Sequence, residues 1–241
     1  MAQFILQACD EFIELRREKV SFEKNRVIGG FATIGRYSVL VLIYCQNGIG
    51  RKRRVQGSDR ERANGFRKVQ RLMQLAQKFK HPIVVCCASS TSSTGTVIAE
   101  SHESLGFPRH ILSQWYLEAP IILAVLGRRS SGDIFGTWLA DKILALEQTQ
   151  FVVNISDQGK NSCRHVGASK LLRDGIIDKT ILVPLNRGPH SQAVMPYRLR
   201  SALIQMLDDV FYLSSRELII RRRAKIALVE AFATKLSSQG N

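Results

Sequence analysis

The stretch Pro120-Ile121-Ile122-Leu123-Ala124-Val125-Leu126-Gly127-Arg128-Arg129-Ser130-Ser131-Gly132-Asp133 runs from an unbroken apolar segment into a short polar loop. An apolar run of this length without alternation reads as a strand buried on both faces, and the residues from Gly132 to Thr137 read as a helix start. Such a junction can aim backbone N–H groups at an anionic ligand. The design occurs once before, in Pro82-Ile83-Val84-Val85-Cys86-Cys87, followed by the loop Ser89-Ser90-Thr91-Ser92-Ser93-Thr94-Gly95 and a longer helical pattern. Two strand–loop–helix units in tandem predict a layered α/β protein with its functional loops at the strand ends.

Outward from these units, Val27–Ile34 and Tyr37–Tyr44 around the Gly35-Arg36 turn read as a β-hairpin whose second arm is apolar on both faces. Residues 2–18 carry apolar side chains at roughly helical spacing, which predicts an amphipathic helix. A polar loop from Gln46 to Asn64 is followed by a helical pattern from Gly65 through Phe66, Val69, Leu72, Met73, Ala76 and Phe79. Strands are expected at Lys142–Leu146, Phe151–Val153 and Thr180–Val183, with a helix around Ser162–Arg173. A loop spans Pro184–Pro196, and two helices close the chain at about 196–213 and 215–236. With no linker composition anywhere, residues 1–241 are expected to form one domain, with 196–236 as a helical C-terminal extension.

The 35 Lys and Arg against 20 Asp and Glu give a net charge of +15, so a polyanionic partner is a serious option: nucleic acid, an acidic carrier protein or a phosphorylated cofactor. Residues 51–71 hold nine Lys/Arg against Asp59 and Glu61, so close to half the excess sits in one loop and one helix face. The five cysteines show no C-x-x-C spacing, which argues against a disulfide framework or zinc site and for a reducing compartment. No apolar run approaches membrane-spanning length, and charge at Asp10 and Glu11 interrupts any secretory signal, so a soluble, cytoplasmic protein is expected. Ser131 lacks the G-x-S-x-G setting of a hydrolase nucleophile, and spacing assigns no catalytic role to His102, His110 or His165.

Several motifs in constant order carry a likeness: Phe12-Ile13-Glu14-Leu15, Ile28-Gly29-Gly30, Gly65-Phe66-Arg67-Lys68 running to Arg71-Leu72-Met73-Gln74-Leu75-Ala76, Phe79-Lys80-His81-Pro82-Ile83, Ala140-Asp141-Lys142, and Gly175-Ile176-Ile177-Asp178. From about Asp10 to Arg223 the chain resembles the alpha subunit of the acetyl-CoA carboxylase carboxyltransferase, in the crotonase superfamily. The resemblance implies a crotonase-like spiral of repeated ββα units with C-terminal helices. It also implies a carboxyltransferase beta-like subunit as partner, in a heterotetramer whose active site lies between the two. In that family the alpha side holds carboxybiotin and the beta side the acyl-CoA and its enolate.

The departures fall in the two loops. The first keeps Gly95 alone of the family's Pro-Gly-Ala-Tyr-Pro-Gly form; the second keeps Gly127, Ser131 and Gly132, while Arg129, Ser130 and Asp133 replace glycines. Backbone donors survive such changes, but glycine's freedom and lack of a Cβ do not, and the Asp133 carboxylate would oppose a developing oxyanion. The site residues implied are therefore Gly132 and Ser131 as backbone oxyanion donors, Arg51, Lys52, Arg53 and Arg54 gripping the phosphates of CoA or phosphopantetheine, and Gly95 beside the ligand. Biotin use is in doubt and no metal is expected in this chain. Acyl carrier protein or biotin carrier protein are candidate further partners. The function expected is a partner-dependent enzyme subunit acting on malonyl or acetyl thioesters, by residual carboxyl transfer or by biotin-free decarboxylation or condensation. A non-catalytic scaffold subunit and a basic nucleic-acid-binding protein are the alternatives, the latter without aromatic interleaving or a nucleic-acid motif to support it.

Overall fold

The computed structural model of the protein describes residues 2–15, 27–45, 59–88, 118–127, 129–130, 140–157, 160–183 and 189–238. Its centre is the apolar segment Ile121–Val125 (β5), every residue of which is buried. Around it lies a seven-stranded sheet made of Glu11–Glu14 (β1), Val27–Ile34 (β2), Tyr37–Cys45 (β3), Ile83–Ala88 (β4), β5, Lys142–Leu146 (β7) and Lys179–Ile181 (β10), in that spatial order. The first three strands pair antiparallel, and β3, β4, β5, β7 and β10 run parallel to one another. A smaller sheet joins Arg129–Ser130 (β6), Gln150–Asp157 (β8) and Lys160–Gly167 (β9).

Helices cover both faces of the main sheet, which is why its central strands are apolar throughout rather than alternating. Leu40, Leu42, Val85, Leu123 and Ile143 pack toward Asp59–Lys78 (α2), Ala168–Arg173 (α3) and the second half of Ser215–Ser238 (α5). Val39, Val41, Val84, Ile122 and Leu144 face the opposite way, onto Ala2–Gln7 (α1) and Pro189–Val210 (α4). Leu199, Leu203, Met206 and Leu207 of α4 are buried there, so this helix completes one layer of the core.

The hairpin forms where alternation and the Gly35-Arg36 turn place it, with Gly35 at φ 61. Two glycines beside it allow close approach: a Cβ on Gly30 would lie 2.0 Å from the Ile13 carbonyl oxygen, and one on Gly29 would lie 2.5 Å from Leu72 of α2. Ile28-Gly29-Gly30 is thus a packing device that lets β1 and α2 close on β2. Other expectations need correction. The helix expected over 2–18 ends at Gln7, and the chain turns into β1 because Asp10 is taken up elsewhere: its N–H donates to the Thr33 carbonyl at 2.8 Å, and its carboxylate accepts from the Gly35 amide and from Arg200. The helix expected around 162–173 is a strand to Gly167 and a helix only from Ala168. Helix α4 begins at Pro189, a favoured first position for proline, and carries Pro196 inside it, where a loop was expected.

Candidate functional site

The five parallel strands end at one edge of the sheet, and their register is level there: Cys45 of β3 stands opposite Ala88 of β4, and Cys87 opposite Val125 of β5. Segments 46–58 and 89–117 follow β3 and β4, and segment 131–139 follows β6, five residues beyond the end of β5. Arg51, Lys52, Arg53, Arg54, Gly95, Ser131 and Gly132 belong to those segments and lie outside the described residues. The carboxyl edge of parallel strands is where open α/β sheets bind ligands.

The root of the third segment is described in detail. Gly127 is buried, and its carbonyl accepts a 2.7 Å hydrogen bond from the hydroxyl of Thr149, itself fully buried. The Leu126 N–H donates to the Cys87 carbonyl at 2.8 Å, extending the β4–β5 ladder to the loop's first residue. The next residues pair with the second sheet, Arg129 against Gln150 and Ser130 against Phe151, and the Thr149 carbonyl accepts from the Ala168 N–H at 3.0 Å. Thr149 therefore joins the end of β5, the start of β8 and the start of α3. Sequence reasoning missed it, because a threonine between two glutamines carries no distinguishing signal.

Beneath this edge, Tyr44 and Cys87 are register partners on β3 and β4, and the Tyr44 hydroxyl is buried. Burial pushes the Cys87 thiol up to about 12 and raises the Tyr44 hydroxyl well above its ordinary value, so both groups are neutral at physiological pH. A thiol held protonated in this way is packing and not a nucleophile. Among the described residues no three His, Cys, Asp or Glu side chains are grouped to hold a metal ion, and no helix is long and apolar enough to cross a membrane. His81 places Nδ1 3.2 Å from the Ser38 carbonyl, and His165 is exposed on β9; His102 and His110 lie outside the described residues.

The opposite, amino edge holds a charge network. Arg222 of α5 grips Asp141 with both arms of its guanidinium, Nε to Oδ1 at 2.8 Å and Nη2 to Oδ2 at 2.6 Å, and also donates to the Ala119 carbonyl at 2.8 Å. The Ile121 N–H supplies a further bond to Asp141 Oδ2 at 2.7 Å, and the two side chains are 4% and 1% exposed. Burial pushes the Asp141 carboxyl upward, while Arg222, the Ile121 amide and Lys225 pull it back toward the ionised form. Lys225 also bonds Asp178 at 2.7 Å, and Lys142 bridges Asp178 and Asp209 at 3.7 and 3.0 Å. Asp141, Lys142 and Asp178, all singled out as motif residues, thus fasten α4 and α5 to the sheet.

Residues 1–229 match the family model described as acetyl co-enzyme A carboxylase carboxyltransferase-like. The acetyl-coenzyme A carboxylase carboxyl transferase subunit alpha of Xylella fastidiosa (strain M12) is 24% identical over 243 residues, covering 95% of this chain and 76% of its own. Its counterpart in Exiguobacterium sibiricum is 27% identical over 237 residues, covering 92% and 76%. Among solved structures, a Pseudomonas malonate decarboxylase hetero-tetramer in complex with coenzyme A matches with a TM-score of 0.55 at 12% identity, over 98% of both chains. The beta subunit of P. aeruginosa geranyl-CoA carboxylase matches with a TM-score of 0.52 at 18% identity, over 86% of this chain, which spans 42% of that subunit. A layered sheet with helices on both faces, a second small sheet rooted at Thr149 and a family match over nearly the whole length lead to one conclusion: the chain has the crotonase fold and belongs to the acetyl co-enzyme A carboxylase carboxyltransferase-like family.

Proposed function

We propose that the chain is the alpha-like subunit of a heteromeric carboxyltransferase-type complex acting on malonyl or acetyl thioesters of CoA or of a phosphopantetheine carrier. One observation supports this reading: the segments holding Arg51–Arg54 and Gly95 follow β3 and β4, and the one holding Ser131-Gly132 follows β6 just beyond the end of β5, where the ends of these three adjacent parallel strands of the main sheet are level. The relatives' name, carboxyl transferase subunit alpha, supports a separate beta-like partner. In this reading the backbone N–H groups of Ser131 and Gly132 donate to an anionic oxygen, and Arg51, Lys52, Arg53 and Arg54 hold the ligand's phosphates, with Gly95 keeping the backbone close to it.

Two features favour an impaired biotin side. Arg129 and Ser130 stand where the resembled family has glycines, and both are paired with β8 as a short strand. Asp133 adds a negative charge beside the same loop. Decarboxylation of a malonyl unit does not need biotin: the bond between the carboxylate carbon and the α-carbon breaks, CO2 leaves, and the electron pair remains as a thioester enolate that then takes a proton. The enolate requires oxyanion donors, which a beta-like partner can supply. The pairing of β6 with β8 also favours the second reading, a scaffold subunit without catalytic groups.

The test uses the full chain mixed with its beta-like partner. A stable complex on gel filtration that decarboxylates malonyl-CoA, with carboxyl transfer from carboxybiotin much slower, is expected. Gly132→Val keeps the N–H but places a Cβ and its branches beside the anionic oxygen, and should lower that rate about a hundredfold, the scale of a lost oxyanion contact. An unchanged rate in Gly132→Val and in an Arg51–Arg54 alanine variant would leave the scaffold reading, and no complex with no turnover would sink both.

A further inference from the structure

From Arg62 to Ala99 the chain has no Asp or Glu and six basic residues: Arg62, Arg67, Lys68, Arg71, Lys78 and Lys80. Lys68 serves the fold, since its Nζ donates to the Val27 carbonyl at 3.2 Å and lies 3.7 Å from Glu14. Arg67, Arg71 and Lys78 stand exposed instead, with exposed Gln70 and Gln74 between them. Spaced four and seven residues apart on one helix, they form a row about 16 Å long. Among the described residues no carboxylate pairs with any of the three.

The row ends in two residues that folding alone would not select. Phe79 is 56% exposed, with the Lys78 ammonium 5.9 Å from its ring centre. Lys80 has φ 56, the one positive value for a non-glycine among the described residues. It sits at the helix stop, where the His81 N–H donates to the Ala76 carbonyl at 2.9 Å and the Lys80 N–H to Gln77 at 3.1 Å, a motif that ordinarily takes glycine. Helix α3 ends in the same motif, with Ile176 N–H to Leu171 at 2.9 Å and Gly175 N–H to Leu172 at 3.1 Å, and there the left-handed residue is Gly175. A side chain in that conformation costs stability that glycine avoids, and like charges at Arg67 and Arg71 also disfavour the helix.

We propose that this face of α2 is the docking surface for an acidic carrier protein. Two arginines and an exposed aromatic ring suit a protein interface, and Lys78 and Lys80 add the positive charge that steers an acidic partner. A single-stranded nucleic acid would instead call for several stacking rings, and the row has one, at its end. Helix α2 returns the chain from the carboxyl edge of β3 to the start of β4, so the Arg67 end of the row lies toward the carboxyl edge and the Lys80 end toward the amino edge. In the carrier's role of bringing an acyl group the proposal rests on the thioester reading above; the docking itself is measured without turnover.

The experiment measures binding of apo acyl carrier protein to the full chain, with a short single-stranded RNA as the other probe. Carrier binding should weaken about tenfold in Arg67→Gln/Arg71→Gln and about threefold in Lys80→Gly, while both variants melt at or above the wild-type temperature, since each removes an unfavourable feature of the helix. Absent carrier binding, unchanged affinity in both variants, or tighter RNA binding would overturn the proposal. So would a fall in melting temperature that tracks the loss of affinity, because the row would then belong to the fold. In the unaltered chain, absent docking with malonyl-CoA turnover intact removes the surface alone, whereas intact docking without turnover removes the thioester reading.

Discussion

The two edges of the parallel sheet divide the work differently. At the amino edge, Asp141, Lys142 and Asp178 are used up in contacts with Arg222, Lys225 and Asp209, which hold the last two helices on the sheet. At the carboxyl edge, the loop root is held by backbone bonds and, among the described residues, by one side-chain bond, from the Thr149 hydroxyl to the Gly127 carbonyl. Two of the motifs that carry the family likeness, Ala140-Asp141-Lys142 and Gly175-Ile176-Ile177-Asp178, are of the first kind, and Ile28-Gly29-Gly30 serves packing. These motifs are scaffold residues, while the proposed chemistry rests on loops in which Arg129, Ser130 and Asp133 stand where the resembled family has glycines.

Removing Arg222 is the sharpest way to separate the edges. Arg222→Met should destabilise the fold by about 3–5 kcal/mol, because Asp141 is left buried without its partner. Its deficit should shrink as pH falls, since a buried carboxyl with a raised pKa gains stability from protonation. Adding Asp141→Asn should recover part of the loss, as the amide oxygen still accepts from Ile121; denaturant titration of the three proteins checks this, and equal stability of single and double variants would break the contrast. Thr149→Val should cost less, about 1–3 kcal/mol, by leaving the Gly127 carbonyl unsatisfied. Its turnover with a beta-like partner should fall by more than that stability loss explains, and activity that simply follows folded fraction would make Thr149 another scaffold residue.

The smallest effect expected is at acid pH. Arg200, and after it the Gly35 amide, hold the Asp10 carboxyl below its usual range; the Tyr37 hydroxyl and Arg36 do the same for Asp208, and the Ser214 hydroxyl and amide for Glu217. A depressed carboxyl contributes stability above its unfolded value and loses it as pH falls, so the melting temperature should drop below about pH 4. Asp10→Asn should be less stable at neutral pH and show a shallower acid limb in thermal melts recorded across that interval.

Legibility in the sequence followed how locally each element is specified. The hairpin and β7 were readable because an unbroken or alternating apolar run with a turn residue leaves little choice. The first helix is shorter than its pattern predicts: Phe12 and Ile13 fit a helical period, yet Asp10 is claimed by Thr33, Gly35 and Arg200, contacts far away in sequence. Val166, Ala168 and Leu171 are buried at spacings that suit strand or helix alike, which hid the boundary at Gly167. The candidate site residues were named from loops that lie outside the described residues, while Thr149, the tie beneath one of them, was invisible without its partner Gly127.

The Arg222 grip also sets a timetable. Asp141 precedes its partner by 81 residues, and Ala119 precedes it by 103. At 5–20 residues per second of synthesis, Asp141 waits roughly 4–16 seconds before the guanidinium that neutralises it has been made. Until then the amino edge of β5 and β7 holds a carboxylate it cannot bury, so a chain released before residue 222 carries a built-in mark of being unfinished.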